Sequence, residues 1–167
     1  DRLTGRMVAV KMVRHGRGAG ADPTAEVKAM RHVLASGGHV NLLELIEVVE
    51  KPGCTMIVTE LVSGGEVFDR LVSNGPFSES DVAKMALALA SGVAHLHKLE
   101  LAHCDLKPEN ILFTTSGDSS NLKIVDFGSA RRFKSNKRVT ADVGTTVYWA
   151  PENFAWTKPE ALRRSGG

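Results

Sequence analysis

Apolar and polar residues follow two rhythms along this chain, and the switches between them mark the elements. Met7 to Val13 is rich in β-branched and apolar residues, with Lys11 closing Val8-Ala9-Val10, which predicts a strand. A Gly-rich loop follows over His15 to Ala21. Asp22-Pro23 then reads as a helix start, Asp as N-cap and Pro in the first turn. That helix is expected to run to Ala35 and stop at Gly37-Gly38, with Val27, Met30, Val33 and Leu34 on one face. Leu42 to Val49 and Cys54 to Leu61 are two further strands around a turn at Lys51-Pro52-Gly53.

The rhythm then lengthens. Glu66 to Ser73 predicts a short helix after the Ser63-Gly64-Gly65 break. Ser78 and Asp81 form a capping box, and the helix behind it carries apolar residues at Val82, Met85, Ala86, Leu89, Val93 and Leu96. This spacing predicts a buried amphipathic helix of about five turns. His103 to Asn110 is a polar loop, followed by short strands at Ile111-Leu112-Phe113 and Leu122-Lys123-Ile124-Val125. Ser129 to Ala141 reads as a basic loop. Strands with one helix, then mostly helix and loop, indicate a two-lobed α+β protein. No internal repeat is found.

Composition narrows the class without naming a chemistry. The 167 residues suit one ordinary domain, and 43% hydrophobic with 24% charged residues argues against a wholly disordered chain. Lys+Arg 21 minus Asp+Glu 19 gives +2, so net charge offers no case for a nucleic-acid or membrane partner. Cys54 and Cys104 make neither a disulfide framework nor a zinc pattern. They are expected to be reduced thiols in a cytoplasmic protein, with the nucleus as the other compartment. The longest apolar candidate, Met85 to Ala90, stops at Ser91-Gly92, far short of the roughly 18 residues a membrane span needs. The first six residues lack the apolar centre of a signal peptide, and position 1 is Asp rather than Met, so a longer parent protein is expected.

Chemistry concentrates in His103-Cys104-Asp105-Leu106-Lys107-Pro108-Glu109-Asn110. An Asp accepts a hydroxyl proton, a Lys neutralises a phosphoryl group in transfer, and an Asn holds magnesium. Asp126-Phe127-Gly128 lies 21 residues on (126 − 105), behind the apolar Ile124-Val125, and places a carboxylate at a strand end as a magnesium ligand. Alone, that triplet is commonly just a turn. Lys11 and Glu26 are 15 residues apart (26 − 11) on a strand and the next helix, and their pairing would orient the Lys toward nucleotide phosphates. For an arbitrary Lys and Glu, two solvated charges would be the better reading.

Taken in order, Val8-Ala9-Val10-Lys11, Glu26, the His103 to Asn110 string, Asp126-Phe127-Gly128 and Ala150-Pro151-Glu152 resemble the signature set of eukaryotic protein kinases. Gly64-Gly65-Glu66-Val67-Phe68-Asp69 and the catalytic string are most similar to the calcium/calmodulin-dependent group. The resemblance implies a two-lobed kinase-like fold, truncated: residues 1–62 a partial β-rich N-lobe with one helix, residues 63–167 a partial helical C-lobe.

The resemblance also implies roles. Lys11, held by Glu26, would contact the α- and β-phosphates of ATP. Asp126 and Asn110 would hold Mg2+. Asp105 would be the base that orients the substrate hydroxyl, with Lys107 at the γ-phosphate. A Lys two places after the Asp resembles Ser/Thr rather than Tyr kinases. The backbone of Glu60 and Val62 would bind adenine, with Thr59 as gatekeeper and Glu66 near the ribose. Glu66 and Glu109 would favour basic protein substrates, with solvated acids as the alternative. Met30, Leu45, His103 and Phe127 would stack between the lobes. Thr145 would bond Asp105 and Lys107, and Thr140 is a phosphosite candidate.

Arg131, Arg132, Lys134, Lys137 and Arg138 fall in the activation segment of this scheme, with a nucleic-acid patch as the weaker alternative because only Phe133 is interleaved. Calmodulin is compatible with the resemblance, though no calmodulin-binding or autoinhibitory segment is visible.

Three departures stand out. Cys104 replaces the Arg that usually precedes the catalytic Asp, so activity is expected not to depend on activation-loop phosphorylation. No Gly-x-Gly-x-x-Gly loop precedes Met7, and the long helix expected after Glu152, with an Arg to pair with it, has no clear counterpart besides Arg163 or Arg164. Loss of a core helix would cost several kcal/mol at roughly 25 cal/mol per Å², so a marginal or aggregation-prone chain is expected. Two readings stay open: an ATP-dependent protein Ser/Thr kinase, or a catalytically incompetent kinase fragment or pseudokinase-like binding module.

Overall fold

The computed structural model describes residues 5–15, 23–117, 121–134 and 143–156. Asp22, Lys137, Arg138, Thr140, Arg163 and Arg164 lie outside these, as does the side chain of Glu152.

A three-stranded antiparallel sheet opens the fold. β1 (Val8–Arg14) and β2 (Leu45–Lys51) flank the central β3 (Cys54–Glu60). The β2–β3 hairpin turns at Gly53, whose φ of +82° suits a residue without a Cβ. In register, Lys11 of β1 faces Ile57 of β3. β2 begins three residues later than the hydrophobic run predicts. Leu42 instead makes a parallel bridge to Ile124, which takes that end of the run out of the sheet.

α1 (Thr24–Ala35) buries Glu26, Val27, Ala29, Met30 and Val33. Leu34, expected on this face, is exposed, and Ala29 and Glu26 take its place in the interior. Pro23 stands at the N-cap and itself offers no side-chain capping bond. Met30, Val33, Leu42, Leu45, Ile57, Leu96, Ile124 and Phe127 belong to one buried cluster that joins sheet, helix and the second half of the chain.

That second half holds α2 (Val67–Asn74), α3 (Glu79–Lys98) and, among the described residues, two pairs of short strands. Ser78 caps α3, its Oγ accepting from the Asp81 amide at 3.1 Å. β4 (Leu101–Ala102) pairs with β7 (Arg131–Arg132), and β5 (Ile111–Phe113) pairs with β6 (Leu122–Ile124). The catalytic-string loop lies between β4 and β5. β4 and β7 were not legible as strands, since two residues carry no period. The segment from Ser129 is therefore not loop throughout.

The amphipathic prediction for α3 holds in length but not in burial. Gly92 and Leu96 are its buried residues, while Val82 and Leu87 are exposed. The reason is local: α3 comes closest to the core at Gly92, where a Cβ would fall 3.2 Å from the Ile124 Cδ1, and enters it with Leu96. Leu89 and Val93 pack against the core cluster, while Met85 and Ala88 line an open cavity with Phe77, Phe113 and Leu122. A short helix, α4 (Pro151–Trp156), closes the described chain where none was predicted.

Candidate active site

Glu26 is 7% exposed on α1, and a buried carboxylate needs a partner. Lys11 supplies it, with Nζ 2.9 Å from both carboxylate oxygens. The same Nζ is 3.6 Å from Asp126 Oδ1. Burial acts to lower the Lys11 pKa, but the hydrogen bonds and charge of Glu26, with Asp126 behind them, outweigh it and hold the ammonium above its ordinary value. A single cation thus ties β1, α1 and the turn after β6.

Asp126 sits in the left-handed region, φ 59°, and its Oδ1 accepts from the Gly128 amide at 3.2 Å. A non-Gly residue there is uncommon and turns the carboxylate out of the strand line. Phe127 is fully buried beneath it, edge-on to His103 with ring centroids 5.4 Å apart. Met30 and Leu45 are buried in the same interior, so all four expected stacking residues lie inside.

His103 organises the catalytic string. Its Nε2 lies 2.9 Å from the Val125 carbonyl, so that nitrogen carries the proton and donates. Its Nδ1 then accepts from the Asp105 amide at 3.3 Å. Burial pushes the imidazole pKa down and keeps this neutral form. Cys104 follows with φ 65°, a second strained non-Gly position that turns the chain so that Asp105 projects next to it.

Asp105 is gripped on both oxygens. Oδ1 accepts from the Thr145 amide at 2.7 Å and the Thr145 hydroxyl at 2.8 Å. Oδ2 accepts from Asn110 Nδ2 at 3.2 Å and lies 3.3 Å from Lys107 Nζ. Lys107 also donates to Thr145 Oγ1 at 2.8 Å. Burial acts to raise the Asp105 pKa, yet the Thr145 bonds and Lys107 prevail and keep the carboxyl below its usual range. Asn110 Nδ2 further donates to the Asp105 carbonyl at 2.9 Å, and a 3-10 turn over Pro108–Asn110 presents it.

Near the end of β3, Thr59 is buried and donates to the Glu60 carbonyl at 3.1 Å. Val62 follows at the crossing into the second half and is half-buried. Glu66 is the N-cap residue of α2, without a side-chain capping bond, and its backbone bridges to Leu112. Glu109 is exposed on the string.

Magnesium fits the donor set. Among the described residues, no cluster of three His, Cys, Asp or Glu can hold a metal on its own. A carboxylate and a carboxamide are nevertheless what an ion sharing its shell with water and phosphate needs. Asp126 is 47% exposed, and the Asn110 carboxamide oxygen accepts from no described residue.

Two contributors escaped the sequence reading. Gly144 has φ +93°, and a Cβ there would run into the Cys104 carbonyl, so this glycine lets Thr145 reach Asp105. Lys123 is buried at 9% exposure within β6. Its signal was a charge inside an otherwise apolar run.

The protein kinase domain family matches residues 1–161, and the chain belongs to that family. It is 38% identical over 155 residues to the calcium/calmodulin-dependent protein kinase cmkB of Emericella nidulans, covering 90% of this chain and 38% of that protein. It is 37% identical to calcium-dependent protein kinase 22 of Oryza sativa subsp. japonica, over 91% of this chain and 27% of that protein. Human serine/threonine-protein kinase H1 is 36% identical, over 90% of this chain and 35% of that protein. The chain thus spans well under half the length of these relatives. The group resemblance read from the Gly64 to Asp69 stretch and the catalytic string agrees with them.

Proposed function

We propose that this chain carries the catalytic centre of an ATP-dependent protein Ser/Thr kinase. The observation that supports it most is the fixing of both Asp105 oxygens by Thr145, Asn110 and Lys107. Phosphoryl transfer asks a protein for position and charge neutralisation more than for covalent chemistry. Asp105 would orient a Ser or Thr hydroxyl and take its proton as that oxygen bonds to the γ-phosphorus. The bond from phosphorus to the β,γ-bridging oxygen breaks, and ADP leaves with that electron pair. Lys107 would offset charge on the transferred group.

Lys11, oriented by Glu26, would bind the α- and β-phosphates. Asp126 and Asn110 would hold Mg2+, which supplies phosphate charge neutralisation when bound. The Glu60 carbonyl and Val62 amide would pair with adenine in front of Thr59, with Glu66 at the ribose. The lobe division then falls at residue 62. Glu66 and Glu109 would prefer a basic sequence around the target residue. Calmodulin is a candidate partner only through what cmkB is called. The same proposal places the protein in the cytoplasm, where ATP and protein substrates meet, and gives no role to nucleic acid or a membrane. No described helix is long and apolar enough to cross a membrane.

The test is transfer of labelled phosphate from ATP to a basic Ser-containing peptide, with nucleotide binding measured beside it. Transfer that disappears in Asp105→Asn supports the kinase reading. ATP bound tightly with no transfer by the unaltered chain overturns it in favour of a non-catalytic binding module.

A further inference from the structure

Lys123 is a buried cation outside every role described above. Its Nζ is 2.7 Å from Glu60 Oε1 and donates to the Leu42 carbonyl at 3.1 Å. Glu60 Oε1 also accepts from the Glu44 amide at 2.8 Å, and the Glu60 amide donates to the Glu44 carbonyl at 3.1 Å. The Lys123 and Glu60 side chains are only 11% and 15% exposed, so the pair is shielded from solvent. Backbone bonds from Leu43 to Ile124 and from Ile124 to Asn41, 3.0 and 2.9 Å, fasten the same chain segment to β6. One ammonium therefore joins the end of β3, the segment before β2, and the strand that leads three residues later (126 − 123) to Asp126.

We propose that Lys123 is a positioning residue for the adenine end of the site, holding the Glu60 side chain so that the Glu60 carbonyl keeps its place. The inference rests on the reading of that carbonyl and the Val62 amide as the adenine contacts. Its physical basis is the cost of a buried carboxylate without a counter-charge. Without Lys123, Glu60 turns toward water and draws its own backbone with it. Adenine offers an amino donor at the edge where guanine offers a carbonyl acceptor. A fixed Glu60 carbonyl accepts from the first and repels the second. Lys123 thereby sets nucleotide choice through Glu60, without touching nucleotide.

The experiment measures dissociation constants for MgATP and MgGTP in the unaltered chain, in Lys123→Met and in Lys123→Met/Glu60→Gln, with thermal melts of each. The unaltered chain is expected to prefer ATP. Lys123→Met is expected to cut the ATP-over-GTP preference about tenfold, the size of one lost hydrogen bond. The double variant leaves no stranded charge. It is expected to regain melting temperature while its preference stays low. Equal losses for both nucleotides mean a merely structural Lys123 and overturn the inference, as does an unchanged preference in both variants. An unaltered chain that binds neither nucleotide overturns the ATP reading itself, and this inference with it.

Discussion

Two aspartates anchor the candidate site, and the chain treats them in opposite ways. Asp105 is 12% exposed, and every acceptor site facing the loop is engaged by Thr145, Asn110 or Lys107. Asp126 is 47% exposed and holds one backbone amide, with Lys11 3.6 Å away. Left-handed backbone serves each: Cys104, just before Asp105, has φ 65°, and Asp126 itself has φ 59°. The difference suits the proposed roles, a base that must be aimed and a magnesium ligand that must keep coordination capacity open. A base works through a fixed direction toward one proton. A magnesium ligand has to give its lone pairs to the ion.

The sharpest way to break that comparison is to remove one charge at a time. Asp105→Asn keeps the shape and loses the proposed base. Phosphate transfer is expected to fall by about 10²–10⁴-fold, the usual weight of a general base, with MgATP affinity unchanged. Asp126→Asn is expected to act on the other axis, removing the magnesium dependence of ATP binding as read by titration with and without Mg2+. Identical patterns in the two variants would sink the division of labour.

Gly144→Ala tests the aim itself. A methyl at this φ of +93° meets the Cys104 carbonyl, so Thr145 must back away from Asp105. A misplacement near 1 Å costs on the order of 10²-fold in rate. Transfer is expected to drop by about that factor, with MgATP affinity kept. A fall in ATP affinity and none in rate would show that Gly144 supports the fold and not the base.

The same contrast marks how far the sequence could be read. Asp105, Lys107 and Asn110 fall within one six-residue stretch, so their chemistry stood in one string. Lys11 and Glu26 were legible because a strand end and a helix turn meet in the kinase pattern, and the 2.9 Å contacts follow. Lys123 and Glu60 are 63 residues apart (123 − 60), and nothing local ties a lysine in a short strand to a glutamate at the end of another. β4 and β7 were too short to show a period. Periodicity gave α3 its apolar side but not what lies against it, and Val82 and Leu87 stand exposed.

The smallest expected effect is one of pH, and it isolates the scaffold under Asp105. His103 donates from Nε2 to Val125 and accepts at Nδ1 from the Asp105 amide, so only the neutral ring satisfies both bonds. Burial lowers its pKa in the folded chain. A base with a lowered folded pKa binds fewer protons when folded than when unfolded, so its contribution is whole above the unfolded value near 6.5. It is lost as pH falls below that value toward the folded pKa. His39 acts in the same sense, its pKa lowered by burial first and then by His95, Lys123 and Lys98. The melting temperature is therefore expected to fall by a few degrees between pH 7.5 and 5.5. Asp105 works lower on the scale, because its pKa is held below the usual carboxylate range and its charge survives this window. A melting temperature that rises on acidification would mean that His103 carries a proton in the folded chain. The Nδ1 acceptor that orients Asp105 would then be gone.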